Sequence, residues 1–141
     1  MRRRQKPKNE IMRPSIKNIL KSGGLAAVIA VAANVGIWLV ATAMGGSALP
    51  VIAVAINSIL GLLVGGLIYA LLARFTKRAN NIFTVVSIVF LMVYAYAPIS
   101  AMTTPPAGFE PFNVTTVIAT ELMHVVAGAL AIWAYTKRAE A

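Results

Sequence analysis

The sequence has no cysteine, a single histidine, and only 4 acidic residues in 141. The missing thiol excludes disulfides, thiolate metal sites and cysteine nucleophiles. The scarcity of acids leaves Glu121 as the one carboxylate inside an apolar run, which argues against a two-metal carboxylate centre built within one chain. Soluble-enzyme motifs are missing as well. No G-x-S-x-G or H-E-x-x-H occurs, the segment from Gly61 to Gly66 lacks the lysine of a phosphate loop, and no intramembrane aspartate is present to orient the histidine. An enzyme is therefore the less favoured class. What the sequence does have is apolar surface: 59% hydrophobic residues against 12% charged ones, the balance of a membrane protein and not of a soluble core.

Four apolar runs are each long enough to cross a hydrocarbon layer of roughly 30 Å, at about residues 24–44, 51–75, 82–101 and 114–135. The formal charge of +9 would suggest nucleic acid if it lay on a soluble face. Here the basic residues flank the spans instead: Arg2, Arg3, Arg4, Lys6, Lys8, Arg13, Lys17 and Lys21 precede the first, Arg74, Lys77 and Arg78 follow the second, and Lys137 and Arg138 follow the fourth. All 13 fall on one side of a four-span topology and none on the other. The positive-inside rule then predicts an all-α bundle of four transmembrane helices, a multi-pass membrane protein with both termini cytoplasmic. Anionic lipid headgroups are the expected surface partners, with no role for nucleic acid.

Residues 1–22 read as a basic cytoplasmic arm. Its first ten residues carry too little apolar surface to fold alone. From Ser15, a cap candidate, Ile16, Ile19 and Leu20 oppose Lys17 and Lys21, the pattern of a short interfacial helix. Gly23 and Gly24 are expected to turn the chain into the bundle of residues 23–141. Ala41-Thr42-Ala43 imitates a signal-peptide cleavage site, but the run before it exceeds a signal core and contains Asn34, so an uncleaved first span is expected.

The spans carry a few costly polar groups at similar depth. Asn34, Asn57, Tyr94, Glu121 and His124 all fall roughly 9–15 Å from the outer face by helical rise. An ionisable residue there costs about 3 kcal/mol on insertion scales, and spanning does not require one. These five residues are expected to converge in one interior layer, as ligand- or proton-binding candidates. Asn34 and Asn57 are also explained as interhelical glue; a lone carboxylate such as Glu121 is a poor glue. Glu121 and His124, three residues apart, share a helical face with Gly128 and Ala131. Gly61 and Gly65 form a small-xxx-small pattern below Asn57, a packing face for another helix of the chain or for a second copy. Pro98 removes the donor for the Tyr94 carbonyl and predicts a break in the third span. In the long proline-rich connection after it, Phe109 and Phe112 are expected at the membrane interface or as a lid over the polar layer.

Three function classes follow. An accessory, interaction or ligand-binding subunit, alone, as a homo-oligomer or within a larger membrane complex, is the first. A proton-linked small-molecule transporter using Glu121 is the second. Haem, chlorin or metal binding through His124 is the third, with no cofactor identified by the sequence. Laid out this way, Ala33-Asn34-Val35-Gly36-Ile37-Trp38, the short proline-ended first loop and Leu122-Met123-His124-Val125-Val126 resemble a family of small bacterial four-span membrane proteins of unknown function. The resemblance covers the membrane part and not the arm. It implies the architecture and a bacterial inner membrane, and no activity.

Overall fold

The structure, a computed structural model, describes residues 14–46 and 49–139. Arg2, Arg3 and Arg4 lie outside the described residues, as does the expected arm up to Arg13. Among the described residues every regular element is a helix. Helix α1 covers Ile16–Ala43, α2 Val51–Phe75, α3 Ala79–Tyr94, α4 Tyr96–Ser100 and α5 Val114–Trp133, the last continued by a π-helical turn, Ala134–Arg138. Taken with these continuations, four helices are long and apolar enough to cross a membrane: Ile16–Ala43, Val51–Phe75, Ala79–Ser100 and Val114–Arg138. The protein is a polytopic α-helical membrane protein, and its exposed aliphatic surface, Val28, Leu63 and Val93 among others, is what lipid contact requires.

Helix α1 does not turn at Gly23 and Gly24. Capped by Ser15, whose Oγ accepts from the Asn18 amide at 3.1 Å, it runs unbroken for 28 residues, about 42 Å. Gly23 serves a close approach instead: a Cβ there would lie 2.6 Å from the Tyr135 hydroxyl. The buried residues of α1 are Ile19 and then, at every fourth position, Ser22, Ala26, Ala30 and Asn34, all four small or polar, so α1 packs closely against both α2 and α5. Facing it on α2 are Val54, Ser58, Leu62, Gly66 and Tyr69.

The end where Arg74, Lys77, Arg78, Lys137 and Arg138 gather is closed by aromatic packing. Tyr69, Phe83 and Tyr135 sit with ring centroids 5.4–5.8 Å apart. Tyr135 donates its hydroxyl to the Leu62 carbonyl at 2.6 Å, and Tyr69 donates to Asn80 Oδ1 at 2.8 Å. Asn80 Nδ2 in turn donates to the Thr136 carbonyl at 3.2 Å. The π-helical turn explains how Ala134, Tyr135 and Thr136 are buried in succession, which a regular helix of 3.6 residues per turn does not allow on one face.

The opposite end is held by caps and ties. After α1, Gly45 adopts φ +81°, and the Gly45 and Gly46 amides donate back to the Thr42 and Ala41 carbonyls, a Schellman stop. Asn113 caps α5 by accepting from the Thr116 amide at 2.9 Å and donates its Nδ2 to the Gly45 carbonyl at 2.7 Å, joining the two ends. Asn113→Ala removes both bonds and is expected to destabilise the fold by about 1–2 kcal/mol in reversible unfolding from mixed micelles. Asn113→Asp, which keeps the cap and loses the tie, should fall between. Equal stability of all three would refute the tie.

Candidate functional site

Helix α3 positions the site by what it does not pack against. Of its residues only Ala79 and Phe83 are buried, both near the basic end, so α3 stands away from α2 beyond its second turn. The gap is a cavity of about 560 Å³ between α2, α3 and α5, with Asn34 of α1 reaching its wall. Phe83, Gly65, Ile68 and Ala131 lie at its basic end, and Pro106, Phe109 and Phe112 at the other. The cavity is therefore a cleft with one closed end.

The long connection covers the open end. Phe112 donates its amide to the Ala101 carbonyl at 3.1 Å, pinning the loop at its base. Within it Phe109 donates to the Pro106 carbonyl at 3.0 Å, with Gly108 at φ +85°, a type II turn that places the two aromatics over the cleft. Phe109 and Phe112 both line the cavity, as expected of a lid. The break in the third span falls at Ala95, between α3 and α4, one turn before Pro98.

Four of the expected polar residues, Asn34, Asn57, Tyr94 and His124, line this one cavity. Asn34 is 3% exposed and donates Nδ2 to Ser58 Oγ at 2.9 Å, while Ser58 donates to the Val54 carbonyl at 2.7 Å. Because the Ser58 proton is committed to Val54, Ser58 can only accept from Asn34, which orients the amide and leaves Oδ1 buried with no partner. Tyr94 meets His124 edge to face, centroids 5.0 Å apart, and His124 Nδ1 is also buried without a partner. Asn57 lines the cleft and is otherwise exposed. Glu121 is outside the lining, on the flank of α5 one turn from His124, and its buried Oε1 has no hydrogen-bond partner.

The small residues divide. Gly128 is a close approach, where a Cβ would meet Leu91 Cδ1 at 2.6 Å, and Gly65 makes ordinary contacts with Tyr135 and Phe83. Gly61 does not pack within the chain: a Cβ there meets nothing within 4 Å, because the cleft lies in front of it. The tight glycine of α2 is Gly66, where a Cβ would lie 2.8 Å from the Tyr135 hydroxyl. Tyr135, at 2% exposure, is a core residue, whereas Trp133, two residues earlier, is exposed, with the Arg138 guanidinium 5.7 Å from its ring centre. Thr120, whose hydroxyl donates to the Thr116 carbonyl at 2.8 Å, and Ser58 also line the cavity, and neither stands out in the sequence. Hydroxyls that can satisfy themselves on their own helix cost little in lipid and leave no hydropathy signal. Ser58 was nonetheless findable as a hydroxyl at the depth of Asn34.

A small polytopic membrane protein with a one-ended interior cleft is the class that this fold and site define. The chain belongs to a family of unknown function (DUF6069), which matches residues 14–141. The membership agrees with the resemblance read from spans one and four. No curated protein and no solved structure matches the chain.

Proposed function

We propose that this protein is a ligand-binding membrane subunit that holds a bilayer-soluble small molecule in the cleft between α2, α3 and α5. The observation that carries the reading is the cavity itself, about 560 Å³, mostly apolar in its lining with a few convergent polar groups, within the range of small-molecule sites. The basic residues gathered at the closed end favour an orientation with that end, and both termini, at the cytoplasmic face of an inner membrane. The mouth and its lid then face the outer side. Transport through Glu121 is less well supported, because Glu121 is not a lining residue and the Tyr69–Phe83–Tyr135 packing blocks passage at the basic end. A metal site gains nothing from the geometry: no group of three or more potential ligands occurs among the described residues.

Solvent extraction of the purified protein followed by mass spectrometry tests the reading. A lipophile enriched over the surrounding lipid should be recovered from the wild type and lost from Ala127→Trp, which fills the cleft from α5. Identical extracts from a folded variant would count against a bound ligand. A visible absorption band lost in His124→Ala would move the haem or chlorin reading ahead.

A further inference from the structure

The walls of the cleft are not equally closed. Its edge between α3 and α5 is shut by Leu91 against Gly128, and its edge between α1 and α2 by the Asn34 to Ser58 bond. The basic end is shut by Phe83 against Tyr69 and Tyr135. Between α2 and α3 the picture differs. These helices meet at Tyr69 and Phe83, and beyond Phe83 no residue of α3 is buried. Leu60 and Val64 of α2 and Val86 and Phe90 of α3 line the cleft and are nonetheless 43–61% exposed. Gly61 stands at the same gap, with nothing within 4 Å of where a Cβ would be. By helical rise Leu60 and Val64 lie about 14 and 20 Å from the outer end of α2, deep in a hydrocarbon layer of roughly 30 Å. The gap therefore faces acyl chains and not water.

The polar lining does not choose the head of the occupant. Asn57, Ser87 and Tyr94 can each donate or accept, and neutral His124 does one or the other according to its tautomer, so heads of either kind are served. What the walls choose is shape and route. The α2 lining runs from Ala53 to Ile68, about 22 Å at helical rise. A volume of about 560 Å³ drawn out along that length suits a chain better than a compact ring system. We infer that the cleft is loaded sideways, by a long-chain lipid whose tail passes from the bilayer through the gap between α2 and α3 while the lid at the outer end stays shut. This route rests on the binding role proposed above. A tail entering there exchanges one apolar surround for another, whereas entry under Phe109 and Phe112 would draw it through interfacial water. For the same reason lipid gives the two helices no hydrophobic drive to close the gap.

The test is photolabelling in nanodiscs with a phosphatidylcholine that carries a diazirine midway along one acyl chain, the labelled residues being mapped by mass spectrometry. Label should reach the back wall of the cleft at Met123 and Ala127, both lining residues of α5. The chain has no cysteine, so Leu60→Cys with Phe90→Cys can be bridged across the gap by a disulfide-containing bis-maleimide before reconstitution. The bridge should lower back-wall labelling about tenfold, an occupancy change of about 1.4 kcal/mol, and cutting it with reductant should restore the label. Gly61→Phe sets a ring in the gap from a position with open space around it and should give the same loss, so the outcome does not depend on the bridge forming. The same reagent between Pro50→Cys and Phe109→Cys ties the lid to the start of α2, and labelling should then be equal with that tie whole or cut. Back-wall labelling that survives both the α2–α3 bridge and Gly61→Phe overturns the lateral route and leaves cleft binding standing, whether or not it falls when the lid is tied. Label confined to outward faces of the unmodified chain, at Leu39 or Val40, overturns both the route and the binding role.

Discussion

Tyr135→Ala is expected to cost about 3 kcal/mol of stability, within the range for emptying an aromatic core site. The ring is 2% exposed, stacks on Tyr69 at 21° between planes, and meets Phe83 edge to face. Gly23 and Gly66 flank its hydroxyl so closely that neither has room for a Cβ, and the hydroxyl donates to the Leu62 carbonyl. In a bilayer the transfer part of the loss shrinks, since an undocked ring would sit in lipid and not in water. What remains is lost packing against fixed neighbours. Tyr135→Phe keeps the ring and loses one hydrogen bond, a change of about 0.6 kcal/mol by membrane double-mutant cycles. Gly66→Ala would ordinarily gain about 1 kcal/mol of helix propensity, but its Cβ would fall 2.8 Å from the Tyr135 hydroxyl. It should therefore destabilise, and partly recover in a Tyr135→Phe background. Unfolding free energies in mixed micelles measure all four. Tyr135→Ala no worse than Tyr135→Phe would mean that the three rings do not form a core.

The spans were legible because hydropathy needs no knowledge of neighbours. A run from Val51 to Phe75 without a charge until Arg74 has one low-energy state in a bilayer, a helix with its backbone bonds made internally. The faces were less legible. In lipid an apolar side chain is as acceptable outside as inside, so Val64 at the cleft and Leu63 beside it carry the same hydropathy signal. Polar depth therefore informed where apolar pattern could not. Asn34, Asn57, Tyr94 and His124 line one cavity, although of the four only Asn34 is buried and Asn57 and Tyr94 are exposed. Glu121 shows the limit of that argument: helical spacing put it on the face of His124, yet a residue three positions away is turned by about 60° on a helix of 3.6 residues per turn, enough to take it off the cleft wall.

Tyr135 and Gly66 were hidden for a different reason. A tyrosine two residues from the next basic side chain reads equally as an interfacial anchor or as a core ring whose hydroxyl has found a carbonyl. Only the π-helical turn, which no local residue signals, decides between them. The loop was half legible. Pro105, Pro106, Gly108 and Pro111 exclude regular structure, but the Phe112 to Ala101 bond that folds it back over the cleft is a tertiary contact.

Gly128→Val is expected to push α3 off α5 and spoil the cleft, with a stability loss of about 1–3 kcal/mol. The reason is the economy of contacts along α3. Beyond Ala79 and Phe83 no residue of this helix is buried, and its approach to α5 at mid-membrane passes through Leu91, whose Cδ1, Cδ2 and Cγ would lie 2.6, 3.1 and 3.2 Å from a Cβ at position 128. Three atoms of one isobutyl group cannot clear a branched side chain by turning a single methyl, so the helix must yield. Leu91→Ala in the same chain removes the obstruction and should restore the spacing, although it leaves a cavity of its own. Because the chain has no cysteine, spin labels at Val93→Cys and Val125→Cys, both on exposed positions of the facing helices, report the α3–α5 distance without background. Widening by a few ångströms in Gly128→Val and its reversal by Leu91→Ala are the expected readings. An unchanged distance in Gly128→Val would mean that Leu91 does not set the position of α3. The cleft would then owe its shape to Phe83 and the basic-end rings alone.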